Sequence, residues 1–203
     1  AYTKVKNPPA EMEIIETKFL KDQQIPFPEV GSLLLFQKDT SSNIGRGIYF
    51  GSKGFPKYQN IDDLVPPIRY ITTNKEYENL IASDDTKYAF ESFWLKHTKS
   101  RLRAKNTIAA YYKRVEEANR LFTGFKAGWM TDMGMIYIIF GPPLQVKKKD
   151  KQEEWIYSKD LKFTFILSEN IFSGFYYHLE RSRKYKIYWF DMVEKWRKGR
   201  VKI

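Results

Sequence analysis

The sequence predicts an α+β fold, and three observations carry that expectation. The first sixty-nine residues are punctuated by glycine and proline and read as strand and loop. Capping signals followed by apolar residues at helical spacing begin after Tyr70. Period-two alternation through Leu161, Phe163, Phe165 and Leu167 then announces sheet. The 203-residue chain is therefore divided into a β-rich section, 1–69, and a helical plus antiparallel-sheet section, 70–203, that closes on a basic helix.

In the first section Ile14, Ile15, Phe19 and Leu20 form a short apolar stretch that Pro26 and Pro28 end. Ser32–Phe36 and the glycine-bracketed run 45–51 are strand candidates, and the Gly-Arg-Gly at 45–47 reads as hairpin geometry because it lacks the full spacing of a phosphate loop. Pro66 and Pro67 close the section.

Thr73 and Glu76 have capping-box spacing, with Tyr77, Leu80 and Ile81 following at helical intervals. Ser83, Asp84 and Asp85 start a second helix, whose Ala89, Phe90, Phe93, Trp94 and His97 make an aromatic stripe bound for the core. A basic connector, 99–105, leads to Asn106, placed to cap a long helix from Thr107 to about Phe122. Ile108, Tyr111, Tyr112, Val115, Ala118, Asn119 and Phe122 mark its inner face. Asn119 is the polar exception and is expected to tie a neighbouring loop to the helix.

Gly124 and Gly128 frame the next turn, and Met135–Phe140, a nearly unbroken apolar run closed by Gly141-Pro142-Pro143, reads as a well-covered strand. A cationic turn at 147–151 then leads into strands at 154–157, 161–167 and 175–179, an antiparallel meander packed on the helices. Tyr185 to Trp196 is helical, with Tyr185, Trp189, Val193 and Trp196 on one face and Gly199 as its stop.

Composition narrows the function classes. Hydrophobic residues at 42% can fill a core, and aromatic residues at 17% supply rings suited to contact surfaces. A net charge of +11 favours acidic partners: nucleic acid, an anionic membrane face or an acidic protein. Nine basic residues against two acids lie between Arg181 and Lys202. No cysteine is present, so disulfides and thiolate chemistry are excluded. No apolar run reaches the length of a membrane-spanning helix. The chain begins at Ala1 without methionine, from which removal of a leader or an upstream piece is expected.

Assembled catalytic patterns are missing. The two histidines, His97 and His178, are far apart in sequence and have no cysteine to complete a metal set. Adjacent acids such as Glu116-Glu117 and Glu153-Glu154 point in different directions, and no nucleophile elbow, zinc-protease or phosphate-loop signature occurs. Neither metal nor cofactor is therefore expected.

The stretch GWMTDMG, 128–134, supports two readings. As architecture, Gly128 and Gly134 give backbone freedom, Trp129 plugs a junction, and Thr131 and Asp132 bond main-chain amides. As a site, Asp132 is a catalytic acid in a cleft, with Trp129 as substrate platform, in a carboxylate-dependent hydrolase. The architectural reading is preferred because no partner acid or base is evident.

Taken in order, AYYKRVEEANRLF (110–122), GWMTDMGMIYIIFGPP (128–143) and EEWIY (153–157) resemble the GWxTD domain, as do the upstream RYITTNKEYENL and AFESFWLKH. The similarity runs from about Tyr70 to Leu179. It implies a bacterial protein of the kind common in Bacteroidota, exported or envelope-associated, in some members a lipoprotein, and carries no activity with it. Met133 stands where members commonly have a basic residue, so a ligand site built on a cation beside Asp132 is not expected here.

The functional expectation is a noncatalytic interaction or assembly module of the cell envelope, accessory to an outer-membrane-associated complex. Lys147, Lys148, Lys149, Arg197, Lys198 and Arg200 are its candidate contacts with a protein partner or an anionic lipid surface. The rival is nucleic-acid binding through the basic tail, with Tyr185, Tyr188, Trp189 and Trp196 as stacking rings.

Overall fold

A computed structural model describes residues 27–36, 45–170 and 174–201. Among them are six helices and two antiparallel sheets, an α+β arrangement. The apolar stretch at 14–20 and Pro26 lie outside the described residues.

Strands β1, Gly31–Phe36, and β2, Gly45–Phe50, pair as the expected hairpin. The short helix α1, Ile61–Leu64, and a 3-10 turn at Pro66–Tyr70 follow, and the turn buries Pro67 and Ile68. This segment joins the main core. Tyr111 donates its hydroxyl to the Pro67 carbonyl at 2.7 Å, and Tyr112 donates to Leu64.

Helix α2, Asn74–Ile81, carries the complete capping box: Thr73 accepts from the Glu76 amide and Glu76 accepts from the Thr73 amide. Helix α3, Thr86–Thr98, is capped by Asp85 and buries Phe90, Phe93 and Trp94, the expected stripe. Helix α4, Arg101–Phe122, starts earlier than the sequence reading placed it. Ser100, with its hydroxyl accepting from the Arg103 amide, is the cap, and Asn106 is an exposed interior residue. The connector is thus mostly helix, as its arginine, leucine and alanine content allows.

The largest correction concerns Met135–Phe140, expected as a strand. Asp132–Phe140 is helix α5, with Met133, Gly134, Met135, Ile136, Ile138 and Ile139 all buried. A helix covered over most of its surface shows no polar face, so its pattern matches that of a central strand. Length is no arbiter for nine residues.

Four strands follow in sequence order across one sheet: β3, Gln145–Lys149; β4, Gln152–Ile156; β5, Lys162–Asn170; and β6, Gly174–Leu179. The expected cationic turn is therefore mostly strand β3, and only Asp150 and Lys151 turn. The inward residues Trp155, Phe163 and Phe165 pack under α4 and α5, with Phe122 meeting Trp155 and Phe140 meeting Phe163. Helix α6, Lys186–Arg197, places Trp189, Val193 and Trp196 in the core, preceded by buried Tyr185.

An ion-pair knot joins α2, α3 and α6. Arg197 donates to both carboxylate oxygens of Glu76, at 2.9 and 2.7 Å, to the Ile71 carbonyl at 2.9 Å and to His97 Nε2 at 3.0 Å. The Arg197 guanidinium holds the Glu76 carboxyl down at about 2, while burial keeps the His97 imidazole below its ordinary value and hence neutral. Both shifts act in the same sense. Glu76 stabilises the fold above about pH 4.5, and that contribution is lost as pH falls toward 2. His97 is protonated in the unfolded chain first, so stability declines below about pH 6.5. Chemical denaturation across this range is expected to show falling stability, steepest at the acid end, and Glu76→Gln should flatten that limb. Arg197→Ala should remove ~2–3 kcal/mol at neutral pH by leaving a half-buried carboxylate unpaired.

Candidate functional site

The stretch at 128–134 sits where α4, α5 and β6 meet. Gly128 lies against α4 so closely that a Cβ there would stand 2.0 Å from the Ala118 carbonyl oxygen. Gly134 has the same relation to Gly128, at 1.9 Å from its carbonyl oxygen. Only glycine fits either place.

Trp129 is 5% exposed. Its amide donates to Asn119 Oδ1 at 3.1 Å, its carbonyl accepts from the Tyr70 hydroxyl at 2.7 Å, and its indole N–H donates to Tyr58 at 3.0 Å. Asn119 also donates to the Pro56 carbonyl at 3.0 Å, so it ties two loops to α4. Burial drives the Tyr58 and Tyr70 hydroxyls far above the ordinary tyrosine range, which keeps both protonated.

Thr131 caps α5: its hydroxyl donates to the Gly128 carbonyl at 2.7 Å and accepts from the Gly134 amide at 2.9 Å. Asp132 opens the helix and reaches across to the sheet. One oxygen accepts from the Leu179 amide and the other from Arg181, both at 2.7 Å. At the far end Gly141 takes φ +85°, Pro142 is exposed, Pro143 is half-buried, and Tyr157 donates to the Gly141 carbonyl at 2.7 Å.

These groups form a knot of satisfied polar atoms. Asp132 has no imidazole or second acid among its bonded partners. A cavity of about 330 Å³ opens elsewhere, between Ser100, Arg103, Thr107, Trp196, Gly199 and Val201, and among the described residues no carboxylate or imidazole lines it. His178 Nδ1 lies 3.0 Å from the Ser168 hydroxyl, and His97 belongs to the Arg197 knot. Among the described residues no group of three or more histidines and acids is placed to hold a metal.

The candidate contact residues separate into two sets. Arg197 is held inside by Glu76, Lys148 bonds buried Glu153 at 3.2 Å, and Lys198 pairs with Glu194 at 2.8 Å. Lys147, Lys149 and Arg200 are exposed, with no ion-pair partner among the described residues. The proposed stacking rings face inward: Tyr185 is 1%, Trp189 9% and Trp196 0% exposed. Tyr188 is half-buried.

Sequence reasoning missed Arg114, Tyr58, Tyr70 and Arg181. Arg114, outside the apolar face of α4, reaches the end of α5 and donates to the Ile138 and Ile139 carbonyls at 3.2 and 3.1 Å. Nothing local to these residues marks such distant partners.

The fold and the knot together define a helix-and-sheet domain whose signature residues hold a buried helix in place. The GWxTD domain model matches residues 32–198, and the chain belongs to that family. No curated protein and no solved structure matches it. The family match begins well before Tyr70 and takes in the β1–β2 hairpin.

Gly128→Ala should destabilise the fold by at least about 3 kcal/mol, because the clash is with main chain. Asp132→Ala should remove about 2 kcal/mol by orphaning the Leu179 amide, and Asp132→Asn less, since an amide oxygen still accepts. Urea denaturation checks both; unaltered stability in Asp132→Ala would contradict the anchoring role.

Proposed function

We propose that this GWxTD domain is a noncatalytic interaction module of the bacterial cell envelope, acting as a subunit of, or accessory to, an outer-membrane-associated complex. One observation carries the reading. The polar groups of the GWMTD stretch are engaged within the fold, whereas exposed cations without ion-pair partners stand on β3 and beyond α6. A polar cluster closed on itself has nothing left with which to bind a substrate. An envelope location is the one that the resemblance to the family implies, and the surplus of positive charge suits an acidic protein face or anionic headgroups. Contact is assigned to Lys147, Lys149 and Arg200, with Lys198 at the rim. Lys148 and Arg197 serve the fold instead.

Nucleic-acid binding has less support, since base stacking needs exposed rings and three of the four rings expected to stack, Tyr185, Trp189 and Trp196, are buried. The test is crosslinking and affinity purification from the native host with wild-type protein and Lys147→Glu/Lys149→Glu. The expected result is a defined envelope partner whose crosslink falls at least about tenfold in the variant while thermal stability is unchanged. Recovery of nucleic acid, or a partner crosslinked equally by both proteins, would overturn the proposal.

A further inference from the structure

The four-stranded sheet ends on β3, and among the described residues no strand pairs with its outer edge. Alternate residues of an antiparallel strand turn both N–H and C=O toward a free edge, so Gln145–Lys149, exposed along its whole length, offers main-chain groups that have no hydrogen-bond partner among the described residues.

The two faces of this strand differ. Its register with β4 sets Val146 beside Trp155 and Lys148 beside Glu153, on the core side, and Lys147 and Lys149 beside Glu154 and Gln152, on the other. The helices cover Trp155, which is 3% exposed, but do not extend over β3: Val146 is 42% exposed and Leu144, just before the strand, 80%. Glu154 is held by Lys162 at 3.2 Å, and Lys147 and Lys149 have no ion-pair partner among the described residues. An open edge is thus flanked by bare apolar side chains on one side and uncompensated lysines on the other.

We propose that β3 accepts an extended segment of a partner protein as a fifth strand, and that this segment alternates apolar and acidic residues. Residues directly opposite one another in a ladder share a face, so acids set against Lys147 and Lys149 place apolar residues against Val146. Edge lysines by themselves guard against aggregation. They do not account for Val146 and Leu144 left bare beside them, which would promote the association that lysines oppose. A second copy of β3 would set lysine near lysine, and a polyanion without alternation would leave Val146 and the edge amides unmet. The proposal rests on the interaction-module reading and specifies its partner's chemistry and mode.

The test uses the whole chain and a synthetic peptide of about ten residues alternating glutamate and valine. Controls are a peptide of equal composition with its glutamates and valines in blocks, and an alternating peptide N-methylated along one edge. The alternating peptide should bind at least about tenfold more tightly than either control at physiological salt. Lys147→Glu/Lys149→Glu and Val146→Lys should each weaken it about tenfold, and hydrogen exchange of β3 amides should slow on binding. Equal affinity for alternating and block peptides, or binding indifferent to N-methylation, would overturn strand addition while leaving a lysine-mediated contact intact. Failure of the interaction reading shows separately, as a native crosslink that charge reversal does not reduce.

Discussion

The fold depends on burying a helix that has no polar side. Six of the nine residues of α5 are buried, Ile136, Ile138 and Ile139 completely. Sinking a helix this way removes water from the main-chain groups at both its ends, which then need other partners. Thr131 meets the need at the start, and the Asp132 carboxylate lies at the positive end of the helix dipole. At the other end the Arg114 guanidinium and the Trp196 indole donate to the last carbonyls. Arg114 also lies 4.9 Å from the centre of the Trp196 ring, so one cation satisfies α5 and stacks on α6. Helices α4 and α6 and strand β6 are thereby tied to its ends by hydrogen bonds as well as packed on its sides.

This arrangement explains what the sequence disclosed. Helices α2, α3 and α6 and strands β5 and β6 each keep one wet face, and their periodicity was legible. Helix α5 keeps none, so the same residues fit a strand equally well. The exposed strand β3 has no inward apolar alternation beyond Val146, and three lysines in succession read as a turn. Asn119 betrayed itself as an amide on an apolar face and does tie loops to its helix. The partners of Trp129 did not: Tyr58 lies 71 positions away and Tyr70 lies 59 away. Such pairings are set by the tertiary fold, and no local spacing encodes them.

Charge is distributed less simply than its sequence clustering suggests. The run from Arg181 to Lys202 looks like one basic patch interleaved with aromatic rings. On a helix, however, rings at 185, 189 and 196 fall on the inner face and most lysines fall outside it, so the interleaving records helical periodicity. Several of the cations are also matched: Lys195 by Asp191 and Lys198 by Glu194 within the helix, and Arg197 by Glu76 of α2. In the shorter cluster at 147–149 a strand directs neighbouring residues to opposite faces: Lys148 meets Glu153 on one, while on the other the acid beside Lys147, Glu154, is held by Lys162.

The corner at 128–134 therefore bears on the proposed surface contact indirectly. Gly128 sets the closest approach of the loop to α4, Thr131 locks Gly128 to the first turn of α5, and Asp132 locks that turn to the end of β6. These contacts run in series. A side chain at Gly128 would lift the start of α5 away from α4 and pull on the Leu179 amide, shifting the sheet against its helices. Strand β3 is the far edge of that sheet, so a corner substitution could disturb a contact at Lys147 without the corner ever touching the partner. Lost binding in a GWMTD variant is thus evidence of contact only when the α5–β6 linkage is shown to persist, whereas lost binding in Lys147→Glu/Lys149→Glu, on the sheet edge opposite β6, reports on the surface itself.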